Sequence, residues 1–175
     1  LSSPLRDRFG IISKLEFYTD EELAMIVKRS SRVLKFNIDD DAALEIAIRS
    51  RKTPRIANRL LKRVSDFALV DGKDVIDLEI TKKALERLKI DESGLDNADK
   101  DYLLSIINKF NGGPVGIESI ASSIGEEVTT IEDVIEPFLL QEGYVKRTSR
   151  GRIVTPKAYK KFKINEQRTL FDYDI

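Results

Sequence analysis

Three places in the chain concentrate cations in patterns that could act on phosphate. Arg6 and Arg8 straddle Asp7 ahead of an apolar run, Arg55 follows Thr53 and Pro54, and Lys146, Arg147, Arg150 and Arg152 crowd one short stretch. The chain has no cysteine and no histidine. Disulfides, zinc fingers, thiol nucleophiles and triads that need an imidazole base are therefore excluded, and no metal site is expected. Chemistry must come from arginine, lysine, carboxylates or hydroxyls, which points to phosphate chemistry or to simple binding.

Arg55 is the most informative cation of the first half. "TPR" reads as a helix start, with Thr53 as N-cap and Pro54 at the first helical position, where its missing N–H costs nothing. An arginine in that first turn opposes the helix macrodipole unless an anion is near. Helix N-termini also receive phosphate, and an arginine fork adds two directed donors. Two readings stand on sequence alone: a solvated arginine beside a carboxylate, which is the commoner case, and a phosphate ligand. Arg6-Asp7-Arg8 taken alone reads more readily as a surface ion-pair cluster than as a catalytic device.

The 175 residues carry 30 basic and 30 acidic side chains, so net charge is zero. The distribution is uneven: residues 91–140 hold 2 basic and 11 acidic side chains, and residues 141–163 hold 8 and 1. The latter segment is the expected polyanion contact. "GYVKRT" and "GRIVT", joined through Ser149, Arg150 and Gly151, read as a β-hairpin, so its cations would project from a narrow ribbon able to follow a sugar-phosphate backbone. The alternative is that they only solubilise the hairpin. The preceding helix carries Glu126, Glu127, Glu132, Asp133 and Glu136, carboxylates expected to repel phosphate. The hairpin, and not the helix, is the expected DNA contact, with little base readout.

Helices must position these cations. Thr19 with Glu22 is a capping-box pattern opening a helix over about 20–34. A second is expected from Asp39–Asp41 to Ser50, a third from Thr53 to Asp71, and a fourth over about 80–89. The polar run 91–101 is expected to be a linker. A helix through Tyr102 and Phe110 follows, then a Gly/Pro turn into a short strand. Next come a helix, a turn at Gly125, and a helix from about 129 to 141 that Pro137 should kink or break. Three helices followed by a hairpin is the winged-helix order. The chain is thus mainly α, a helical bundle followed by a winged-helix domain with a short β-hairpin wing. No run resembles a membrane span or a signal peptide, so a cytoplasmic location is expected.

The stretches "LSSPLRDRFGI", "TPRIANRLLKRVSDFA", "LDNADKDYLLSIINKFNGGPVGIESIASSIGEE" and "TIEDVIEPFLLQEGYVKRTSRGRIVT" occur in the order of, and resemble, the C-terminal part of the RuvB family of AAA+ ATPases. The resemblance covers nearly the whole chain. It implies an AAA+ core remnant over 1–18, a helical lid over 19–92, a winged helix over 93–164 and a tail over 165–175. It implies further that Arg8 is an arginine finger acting in trans, with Arg6 as supporting charge. Arg55 would be the sensor-2 residue and Tyr18 a neighbour of the nucleotide. Arg147 and Arg152, helped by Arg150 and Lys146, would touch DNA.

The implied protein is an ATP-driven, Mg²⁺-dependent helicase that migrates Holliday junctions. It would be a homo-hexamer acting on duplex DNA with RuvA and RuvC. Two departures qualify this. The arginine that the family often has after "GEE" is Val128 here, and no Gly-x-x-x-x-Gly-Lys-Ser/Thr phosphate loop is present. The chain alone is therefore expected neither to bind ATP well nor to hydrolyse it, and its beginning reads as the broken edge of an ATPase domain. Rival readings are a clamp-loader or replication-initiator relative and a non-enzymatic winged-helix regulator. In the tail, Gln167-Arg168-Thr169-Leu170-Phe171 resembles the Gln-x-x-Leu-Phe peptide that docks on the sliding clamp. A simple terminus or a folded-back anchor is the commoner reading of such a segment.

Overall fold

The structure, a computed structural model, describes residues 17–164 of the chain. It divides into two compact units, Leu1–Leu85 and Glu86–Ile175. Arg6, Arg8 and the Gln167–Phe171 segment lie outside the described residues.

The first unit is built by α1 (Asp20–Val33), α2 (Asp40–Ile48), α3 (Pro54–Val70) and α4 (Leu78–Arg87). The capping box opens α1 as expected: the Glu22 amide donates to Thr19 Oγ1 at 3.2 Å and the Thr19 amide donates to Glu22 Oε2 at 2.9 Å. Asp77 opens α4, accepting from the Ile80 amide at 2.8 Å and from Lys73 Nζ at 2.6 Å. α1 packs mainly on α2 and α3. Leu23 and Val27 of α1, Ile46 of α2 and Leu60, Leu61 and Val64 of α3 are all buried.

A parallel pair not anticipated from the sequence ties the bundle. β1 (Asn37–Ile38) lies beside β2 (Val75–Ile76), with Asn37 opposite Val75 and Ile38 opposite Ile76. These strands follow the C-terminal ends of α1 and α3. Tyr18 and Arg55 therefore sit a helix length from the pair, about 20 Å along α1 and about 25 Å along α3.

The second unit opens with a correction. Half of the run read as a linker is helix, since α5 spans Asn97–Lys109. The remainder is tightly organised: Asp91 Oδ1 accepts from the Ser93 and Leu95 amides at 2.9 and 3.0 Å, and Leu95 is fully buried. Asp96 and Asp99 then form a second capping box. Local hydrogen bonds thus spend the acidic side chains that made this segment look like a spacer.

After α5 come α6 (Ile117–Ile124), which ends at Gly125 in the left-handed region, and a composite helix. The latter consists of α7 (Val128–Thr130), a π-helical turn (Ile131–Ile135) and α8 (Glu136–Gln141). Pro137 cannot supply an amide to the ladder, and the break falls just before it: the Glu136 amide donates to the Ile131 carbonyl, five residues back.

The hairpin is present as expected, β3 (Val145–Thr148) antiparallel to β4 (Gly151–Val154). The short strand after the Gly/Pro turn reduces to a single bridge. Val115 and Arg152 exchange backbone bonds of 3.0 and 2.8 Å. A side chain at Gly113 (φ +97) would collide with the Arg152 carbonyl, and one at Gly151 (φ +134) with the Val115 backbone. Both glycines are needed for that close approach. A last helix, α9 (Pro156–Phe162), was not anticipated. Its Lys161 anchors to Asp91 at 3.1 Å, and Asp91 is held below the usual carboxylate range. Burial would raise Asp91, but the Leu95 amide and Lys161 outweigh it.

Candidate nucleic-acid interface

The antiparallel register decides which wing cations share a face. Arg147 lies directly opposite Arg152, so their side chains leave the ribbon on the same side. Like charges in that position repel, and the fold places a carboxylate between them. Glu136, the first residue of α8, is fully buried and accepts from Arg152 Nε at 2.8 Å and from Arg147 Nε at 2.8 Å. Arg147 Nη2 donates to it as well, and Tyr102 on α5 donates its hydroxyl at 2.6 Å. Arg152 Nη2 also reaches Glu132 at 3.5 Å.

The electrostatics follow from this geometry. Burial would push the Glu136 carboxyl up, but donation from Arg152, Tyr102 and Arg147 outweighs it and holds the group below the usual range. Burial and the adjacent Glu136 carboxylate raise the Tyr102 phenol. The Arg152 guanidinium is raised first by its bond to Glu136, against desolvation. Glu136 is therefore an ionised, fully engaged carboxylate.

This corrects one expectation about the helix. Glu136 was counted among carboxylates that would repel phosphate, yet it faces inward and is neutralised by two arginines. Glu126, Glu127, Glu132 and Asp133 remain on the surface, so the exposed side of the composite helix is still acidic.

The four wing cations fall into distinct environments. Lys146 and Arg150 are exposed and their side chains have no ion-pair partner among the described residues. The Arg147 side chain is 48% exposed although one edge is bound to Glu136, whereas that of Arg152 is 17% exposed. The structure brings Arg147 and Arg152 together on one face of the ribbon; Lys146, opposite Ile153 and one pair further from the turn, leaves on the other face, and Arg150 lies in the turn itself. Sequence reasoning named all four cations but missed Glu136 and Tyr102 as their support.

In the first unit, Arg55 is exposed in the first turn of α3 and makes no ion pair or side-chain hydrogen bond among the described residues. The carboxylate neighbour of the ordinary reading is absent among them, and the first turn of α3 holds no acidic residue. Thr53 occupies the N-cap position but does not cap; its hydroxyl turns back to the Ser50 and Arg51 carbonyls at 3.1 and 2.9 Å. The helix start therefore lacks a side-chain acceptor for its first amides. Arg51 and Lys52 just before it both have φ +54, a left-handed conformation costly for such residues and common at ligand sites. An uncapped helix end with a strained basic loop and a free arginine is suited to receive an anion. Tyr18, 44% exposed, immediately precedes the cap of α1. Among the described residues no acidic cluster could hold a metal ion.

Comparison with known proteins bears on both units. The family model described as RuvB AAA lid domain matches residues 18–91, and that described as RuvB C-terminal winged helix domain matches residues 92–163. The chain is 58% identical over 163 residues to the Holliday junction branch migration complex subunit RuvB of Phytoplasma mali (strain AT), covering 93% of this chain and 49% of that protein. Among solved structures it resembles the Thermotoga maritima RuvB Holliday junction branch migration motor, with 52% identity and a TM-score of 0.85. That match covers 94% of this chain and 55% of the other. Single-substitution variants of the same motor match equally well. The chain thus spans about half the length of the relatives it matches.

Proposed function

The chain belongs to the RuvB family, whose lid and C-terminal winged-helix domains it carries, and from that premise we propose that its wing holds duplex DNA while its lid senses ATP. The observation that carries this reading is the free, exposed pair Lys146 and Arg150 on a ribbon whose other two arginines are braced from behind. Arg147 and Arg152, one pair in from the turn, complete the contact. These groups offer point charges and forks to phosphate oxygens, and the hairpin holds no Asn, Gln or carboxylate to read adenine or cytosine, so phosphate contacts dominate and binding depends little on sequence.

The lid's part is to place Arg55 and the open start of α3 against the nucleotide phosphates, with Tyr18 beside the nucleotide. Bound ATP and its Mg²⁺ supply the phosphoryl group and the counter-charge for its transfer. Among the described residues there are donors for phosphate and no acidic cluster suited to Mg²⁺. Arg8 serves as the finger reaching ATP on a neighbouring subunit, with Arg6 supporting it. That role requires an oligomer, here a homo-hexameric ring.

In the whole protein this makes an ATP-driven helicase that migrates Holliday junctions in recombination and repair, with RuvA and RuvC as partners and the cytoplasm as its location. Residues 1–18, 19–92, 93–164 and 165–175 act as core remnant, lid, winged helix and tail. Gln167–Phe171 would be a secondary contact for the sliding clamp.

The DNA reading is tested by fluorescence anisotropy of the chain with several unrelated duplexes over a range of salt. Affinities should agree across sequences and fall linearly on a log–log plot, by about 0.9 units for each phosphate neutralised. Binding to one sequence only, or no binding at low salt, would overturn it.

A further inference from the structure

We infer that Glu136 is a positioning residue for the wing, holding Arg147 in a fixed orientation with its remaining N–H groups turned to a DNA phosphate. The inference rests on the wing being the DNA contact. A guanidinium has five N–H donors, and Glu136 Oε2 takes those on one edge, at Nε and Nη2. The other terminal nitrogen has no partner among the described residues, on a side chain that is 48% exposed. Arg152 is bound through the same two nitrogens but to Glu132 as well as Glu136, and at 17% exposed it braces the carboxylate from the other strand. Tyr102 closes the cluster by donating to Oε1, the oxygen that Arg152 Nε also uses.

The arrangement solves a problem set by the register. Arg147 and Arg152 face each other across the ribbon and would splay apart without a counter-charge between them. With Glu136 in place the repulsion between the two arginines is offset, and the long Arg147 side chain is ordered before DNA arrives. Ordering that would otherwise accompany binding is then already complete, so the arginine holds phosphate more tightly than a mobile one. The π-helical turn immediately before Glu136 sets the angle from which the carboxylate enters, in keeping with the placement of such turns at working sites.

The test uses the 175-residue chain, ¹⁵N-labelled, with a random-sequence duplex. Arg147→Ala should weaken binding about 10-fold, the scale of one charge-assisted hydrogen bond. In a Glu136→Gln background the same substitution should cost less than about 2-fold, because the fork it removes is no longer held. The Arg147 Nε–H resonance should exchange slowly with water in the unaltered chain and rapidly in Glu136→Gln. Tyr102→Phe, which keeps the ring and both charges, should give intermediate exchange, and it serves as the probe if Glu136→Gln does not fold. Equal cost of Arg147→Ala in both backgrounds, tighter binding by Glu136→Gln, or unchanged Arg147 exchange in the variants would overturn the inference. Absence of salt-dependent binding by the unaltered chain, with Arg147 still protected, would strike the DNA reading and leave the geometry standing.

Discussion

Arg55 in the lid and Arg152 in the winged helix are the same residue type under opposite conditions. Arg55 stands at an uncapped helix end, exposed, against the macrodipole and without an internal partner among the described residues. Arg152 is pinned to a buried carboxylate that also holds a second arginine and a tyrosine. The lid leaves its cation slightly unfavourable until an anion comes from outside. The winged helix instead uses one carboxylate to fix the shape that its other cations present. An arginine of the first kind should matter to function and hardly to stability, whereas the second kind should matter to both.

The largest expected effect tests the first half of that contrast. In the full-length protein, Arg8→Ala should lower ATP hydrolysis about 1,000-fold or more, the scale of a lost arginine finger, with nucleotide binding nearly intact. Arg55→Ala should lower it about 100-fold, as for loss of one preorganised donor to developing charge. Thermal unfolding of the Arg55→Ala chain should stay within about 0.5 kcal/mol of the unaltered one. A large loss of lid stability would mean that Arg55 has a structural partner and would erase the contrast.

The second prediction strikes the winged helix. Glu136→Ala should destabilise this unit by about 3 kcal/mol, because it strands two arginines and a buried phenol together. Hydrogen exchange should show the loss in β3 and β4 and not in α1–α3. The effect depends on pH with a defined sign. The folded-state pKa of Glu136 is lowered, so its contribution is complete above its ordinary value of 4.5 and is lost as pH falls through the lowered folded value. The stability gap between the unaltered chain and Glu136→Gln should therefore be flat from pH 8 to about pH 5 and close in acid. A gap that widened in acid would contradict an ionised Glu136.

What could be read from the sequence follows the same division between local and distant interactions. The cap of α1, the start of α3, the hairpin and the break before Pro137 were legible because each depends on residues within a few positions. Thr155 and Pro156 carry the same start signal as Thr53 and Pro54, and α9 was missed only because its lysines were read as charge. β1 and β2, two residues each, are too short to show a period and join segments nearly forty positions apart. Glu136 was illegible for a further reason. A π turn adds a residue to the helical repeat, which shifts the faces after Ile135 and turns inward a carboxylate placed on the surface by regular spacing. The bond from Tyr102, 34 positions away, has no local signature.

The smallest expected effect separates the free wing cations from the braced ones. Lys146→Ala and Arg150→Ala each remove an exposed charge with no internal ion pair, so neither should change the unfolding midpoint measurably. Each should reduce the slope of log affinity against log salt by about 0.9, evenly across duplex sequences. Arg152→Ala should differ on both counts. Its charge is largely spent on Glu136 and Glu132, so the slope should change by well under one unit while stability falls. If Arg152→Ala shifted the slope by a full unit and left stability unchanged, the guanidinium must leave Glu136 for phosphate when DNA binds. The brace would then be a resting position, and the wing would belong with Arg55 among the cations held in reserve for an external anion.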